Sequence, residues 1–66
     1  MFKPNTTKAI DELGGIRGAT SRLDVTRATL WNWRKEGAPE TRCYQLAALT
    51  SVPVDDLLSE RNKVAA

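Results

Sequence analysis

Ten residues in the middle of the chain, Arg27 to Glu36, carry side chains that can read nucleic-acid bases and neutralise phosphates. Arg27 can bond one guanine in two places, Asn32 can do the same to an adenine, and Ala28 can touch a thymine methyl. Lys35 and Arg34 suit phosphate oxygens, and Arg17 and Arg22 just upstream suit the sugar-phosphate backbone. Thr26, at the entry to the stretch, can cap a helix, read a base, or do both. Each side chain also has an ordinary use. Arg27, Asn32 and Lys35 suit a solvated helix face, and Ala28 is a good helix former. Trp31 stands apart. Next to an inward-facing Trp33, it must point away from the core. It either packs on a loop or the N-terminal arm, or lies against a sugar or a thymine methyl.

The charge pattern points the same way. The net charge of the 66 residues is only +2. Residues 16–35 hold Arg17, Arg22, Arg27, Arg34 and Lys35 against Asp24 alone, a local balance of +4. Residues 36–66 hold Glu36, Glu40, Asp55, Asp56 and Glu60 against Arg42, Arg61 and Lys63, a balance of −2, and residues 1–15 balance out. Basic charge focused on one block is what a DNA-facing surface requires.

Other chemistries lack their residues. There is no histidine, and Cys43 is the only cysteine, so neither an internal disulfide nor a metal site is expected. No phosphate-binding motif and no paired carboxylates of a catalytic cleft occur, and Asp55-Asp56 read as first-turn dipole residues. No enzyme activity, cofactor or small-molecule substrate is expected. No segment has the length and apolarity of a membrane span or a signal peptide. A soluble protein in the cytoplasm of a bacterial host cell, associated with the nucleoid, is expected.

The elements that must position these residues are helices, and no strand-like alternation of any length occurs. Helix 1 is expected from Asn5 or Thr6, either of which can cap it, to Gly14-Gly15, with Ile10 and Leu13 inward. Helix 2 runs from Ile16 to Leu23, with Ile16, Ala19 and Leu23 on one stripe. Gly18 and Ala19 are small enough to let another helix come close. Asp24 tolerates the left-handed conformation of a tight turn, and Thr26 opens helix 3, Arg27 to Glu36, which stands on Leu30 and Trp33. Gly37 ends it, and helix 4 is expected to start at Pro39, with Cys43, Leu46 and Ala47 inward and Tyr44 and Ala48 on an adjoining row. Helix 5, Pro53 to Ser59, turns Val54, Leu57 and Leu58 inward. Residues 1–5 read as an arm, 6–59 as one domain and 60–66 as a frayed tail. The block 16–36 is a helix, a three-residue turn and a helix. That is the geometry of a helix-turn-helix, in which the first helix braces the backbone and the second enters the major groove.

These residues resemble a known family. Leu13-Gly14-Gly15-Ile16-Arg17-Gly18-Ala19, Leu23 to Leu30 and Asn32-Trp33 look like the Cro proteins of lambdoid phages, as do Ala38-Pro39-Glu40 and Tyr44-Gln45-Leu46. The resemblance spans residues 6–58 and lies within the lambda-repressor-like DNA-binding domains. Three positions depart from the family pattern: Asp24 replaces a turn glycine, Ile16 a phosphate-contacting glutamine, and Thr20 an alanine. Cro proteins end either in helices or in a dimerising β-hairpin. Pro53 cannot donate within a central ladder, and Tyr44 to Leu49 are good helix formers, so an all-α ending is expected. The resemblance implies an all-α domain of five short helices. It further implies a repressor of transcription that binds double-stranded operator DNA in the major groove through Arg17, Thr26, Arg27, Ala28, Trp31, Asn32 and Lys35. Weak homodimerisation is expected, with Leu49, Val52, Val54 and Leu58 as interface candidates. A scaffold of this kind can also serve as a protein-interaction module, an antirepressor or adaptor.

Overall fold

The computed structural model describes residues 2–61. Its elements, in order, are α1 (Pro4–Glu12), α2 (Gly15–Leu23), α3 (Arg27–Glu36), α4 (Glu40–Leu49) and α5 (Val54–Ser59). Among the described residues there is no strand, so the chain is all-helical, as its patterning predicts. No described helix is long and apolar enough to cross a membrane.

α1 is the hub and packs against each of the other four helices. Its start differs from expectation. Neither Asn5 nor Thr6 caps it; the helix begins at Pro4, whose missing N–H leaves one donor fewer to satisfy. The next two amides find a partner far along the chain. The Asn5 amide donates to Glu60 Oε2 (2.7 Å) and the Thr6 amide to Glu60 Oε1 (2.8 Å). The Thr6 hydroxyl donates to the same Oε1 (2.9 Å), which satisfies a fully buried side chain. Pro4 and Asn5 therefore belong to the folded domain rather than to an arm. Glu60 is an N-terminal cap rather than part of a frayed tail, and residues 62–66 of that tail lie outside the described residues.

The core joins Ile10 and Leu13 of α1 to Ala19, Leu23, Leu30, Trp33, Cys43, Leu46 and Leu57, with Ile16, Ala47, Val54 and Leu58 half-buried against it. Ala9, Ala38 and Val52 are also buried. Val52, an expected interface residue, is 2% exposed and so unavailable to a partner. Tyr44 and Ala48, expected on an apolar row, face solvent instead. α1 and α2 meet at Gly18: a Cβ there would lie 2.1 Å from the Leu13 carbonyl oxygen, so the close approach requires glycine. At Gly37 the backbone has φ +91°, and a Cβ would meet Arg61 Cα and the Glu60 carbonyl at 2.6 Å. The C-terminal backbone thus passes directly over the end of α3.

Side chains close the remaining seams. Arg42 Nη1 donates to the Leu23 carbonyl (3.4 Å) at the end of α2 and to Gln45 Oε1 (2.6 Å). The Glu12 carboxylate accepts from the Ser51 amide (2.8 Å) and hydroxyl (2.6 Å), tying α1 to the α4–α5 turn. These Ser51 hydrogen bonds hold the Glu12 carboxyl below its ordinary pKa, with Lys8 adding to the effect. Pro39 and Pro53 are N-caps, one position before the helices they were expected to begin. Cys43 is fully buried, and burial pushes its thiol pKa up, so the one cysteine is an inert core residue.

Candidate nucleic-acid interface

The turn between α2 and α3 is built by two residues of opposite backbone habit. Asp24 takes the left-handed conformation (φ 55°, ψ 49°), the only described non-glycine residue with positive φ. Thr26 is extended (φ −83°, ψ 162°), and its hydroxyl oxygen accepts from the Thr29 amide (3.2 Å). The two together reverse the chain and start α3 within three residues. Thr20, in place of a small mid-helix residue, bonds locally: its hydroxyl donates to the Arg17 carbonyl (2.8 Å).

α3 is then held by its inner stripe. Leu30 is fully buried and Trp33 is 6% exposed. A helix turns 100° per residue, so the opposite side must carry Ala28, Trp31, Asn32 and Lys35. All four are exposed, as are Thr26, Arg27 and Arg17. The seven residues expected to meet DNA therefore all lie at the surface, six on α3 or its cap and one on α2.

They are not spread evenly. Arg27 turns toward α2, and with Ile16, Arg17 and Thr20 it lines a concavity of about 480 Å³. Two guanidinium-bearing side chains so border one hollow at the α2–α3 junction. α2 adds a second feature there: its N-cap is Gly14, and no side chain caps its first-turn amides. Two guanidinium groups beside a helix start without a side-chain cap give this corner of the surface a positive potential. Ile16 contributes apolar wall here rather than a polar contact. At the far end of α3, Asn32, Glu36, Pro39 and Arg61 edge a second hollow of about 300 Å³. Glu36 is the one acid on α3 and bounds the basic face on that side.

Trp31 packs on the N-terminal arm. Its ring meets Phe2 edge-on, with centroids 5.3 Å apart and planes at 60°. The Arg34 guanidinium lies 4.8 Å from the Phe2 ring centroid and 5.2 Å from that of Trp31. The Lys3 amide donates to the Arg34 carbonyl (2.6 Å). Arg34, read from the sequence as a phosphate contact, is half-buried and engaged by two rings. Trp31 nonetheless keeps 42% of its surface exposed. Phe2 and Lys3 are the residues that sequence reasoning missed. Their only signal was a lone phenylalanine in a polar segment, which does not say what it packs against.

Among the described residues, no three His, Cys, Asp or Glu side chains gather where they could hold a metal ion. Comparison of the chain with protein-family models, curated proteins and solved structures finds no match.

Proposed function

We propose that this protein is a sequence-specific DNA-binding regulator of transcription, a Cro-like repressor that places α3 in the major groove of operator DNA. The observation that carries the reading is the two-sidedness of α3. Leu30 and Trp33 are buried, while Ala28, Asn32 and Lys35 stand exposed opposite them, beside Arg27 and Arg17 at the α2 junction. Ten residues make a helix about 15 Å long, which suits a major groove about 12 Å wide. Arg27 and Asn32 are the base readers in this reading, and Ala28 adds an apolar contact. Arg17 and Lys35 hold phosphates. The bacterial nucleoid is then the place of action.

Two copies on a near-palindromic site are proposed, with half-sites about 34 Å apart. The longest dimension of one copy is 31 Å, so two copies fit side by side on successive turns of one DNA face. Of the apolar residues expected at their interface, Leu49 is exposed, and Val54 and Leu58 are half-buried.

Selection of bound fragments from random duplex DNA tests the proposal, followed by a salt titration on the selected site. A consensus should emerge, and affinity should fall steeply with salt, by a log–log slope of roughly −0.9 for each phosphate neutralised. Lys35→Ala should weaken all sequences alike and reduce that slope by about one phosphate. A second reading, an antirepressor or adaptor that binds protein, is favoured by the exposure of Tyr44 (53%) and Leu49 (46%) on α4. No enrichment and no salt-dependent binding would overturn the DNA reading in its favour.

A further inference from the structure

We propose, on the basis of the DNA-binding reading above, that Trp31 reads a thymine 5-methyl group in the major groove and that Phe2 is the residue that positions it. Trp31 follows Ala28 by three residues and precedes Lys35 by four, so all three share one helix face. It is the largest side chain on that face and stays 42% exposed, a poor place for an indole unless something covers it. Packing on Phe2 and Arg34 still leaves that much of the side chain uncovered. The same packing fixes the ring's orientation. A side chain already held before binding loses little freedom when a ligand arrives, and aromatic anchors work for that reason.

The surroundings say what the exposed surface meets. Arg27 and Lys35 lie one turn to either side on α3, and Arg17 is exposed on α2. A polyanion fits such a rim better than an apolar protein groove does. On the major-groove edges of the four bases, the 5-methyl of thymine is the apolar group. An indole on a cationic helix face is therefore matched to a thymine methyl in the groove of a polyanion. Phe2 and Arg34 brace the indole from behind, and the Lys3 amide bonded to the Arg34 carbonyl pins the arm that delivers Phe2.

The experiment replaces each thymine of a selected duplex in turn with deoxyuridine, which removes the methyl and leaves every hydrogen-bonding group in place. The full chain should lose about fourfold in affinity at one thymine per half-site, the value of one buried methyl group. Trp31→Ala should abolish that discrimination, and Trp31→Phe should keep part of it. Phe2→Leu should narrow it while leaving the salt slope unchanged, a split that a merely structural role for Phe2 does not produce. Should Trp31→Ala not fold, the wild-type scan and Trp31→Phe decide. Salt-dependent, sequence-selective binding that is blind to every methyl overturns this assignment alone, and so does a Trp31→Ala protein that still discriminates. Absence of duplex binding removes both the assignment and the reading beneath it.

Discussion

The α2–α3 pair and the α4–α5 pair are built alike and finished differently. Each is two short helices that pack on α1 and supply buried leucines to one core. The first pair presents Arg17, Arg22, Arg27 and Lys35 to solvent against Asp24 and Glu36, the second Glu40, Asp55 and Asp56. Their turns differ too. Asp24 and Thr26 make the first turn from their own backbone and side chain. The second has a local bond set too, the Thr50 hydroxyl donating to the Leu46 carbonyl and accepting from the Val52 amide, but adds Glu12, reaching across from α1 to Ser51. Folding asks the same of both pairs, namely an apolar inner stripe and satisfied helix ends. It asks nothing of the outer charge. The outer charge of both pairs is therefore what burial does not explain, and the proposed function rests on the basic part of it, on α2–α3.

The comparison predicts equality inside and inequality outside. Leu30→Ala in α3 and Leu57→Ala in α5 both remove fully buried side chains, and each should cost about 2–5 kcal/mol of stability. Urea denaturation measures each loss against the wild type. A large difference between the two would break the claim that the pairs are structurally equivalent.

On the outer surfaces the pairs should part. Arg27→Ala and Asn32→Ala should each lower discrimination at one or two base pairs by about 1–3 kcal/mol, with folding unchanged. Thr41→Ala, on the exposed side of α4, should leave DNA binding untouched. Wild-type selectivity in Arg27→Ala or Asn32→Ala removes that residue from the reading set.

The turns give smaller effects. Thr26→Ala removes the cap of α3 and should cost about 1 kcal/mol, seen as a lower melting temperature. Glu12→Gln weakens the tie to Ser51, with a pH signature. The folded-state pKa of Glu12 is depressed, so its contribution is present above the unfolded value of about 4.3 and disappears as pH falls through the lower folded value. The melting temperatures of wild type and Glu12→Gln should differ slightly at pH 7 and converge below about pH 4. A constant gap across that range would mean that the carboxylate charge is not what holds Ser51.

Much of this architecture is legible in the residues, because local chemistry sets it. Asp24 takes the left-handed turn position, Thr26 caps, Gly37 ends α3, and the stripes Ala19–Leu23 and Leu30–Trp33 are inward. The misreadings share another origin. Val52 looks like a surface residue in a Ser-Val-Pro-Val loop, but it is buried in the core, with its neighbour Ser51 tied to Glu12 of α1. Tyr44 and Ala48 sit on a helix whose apolar residues spread around much of its circumference, so periodicity alone does not choose the buried side. Asn5 and Thr6 are good capping types, yet a carboxylate 55 and 54 residues away takes the amides.

Trp31 gathers both lessons. Spacing from Trp33 is enough to put it on the outer face of α3, since the angle between successive helix residues is a property of the backbone. What it touches there was open, because Phe2 is 29 positions earlier and nothing local links the two. The sequence by itself determined that the chain is helical, where α3 starts and stops, and which sides of α2 and α3 are apolar, all consequences of interactions within a few residues. Only the tertiary structure decided that Glu60 closes α1, that Arg34 packs against two rings that meet each other edge-on, and that Trp31 is held by Phe2 yet stays 42% exposed. Those contacts join segments that meet only after the core has brought them together.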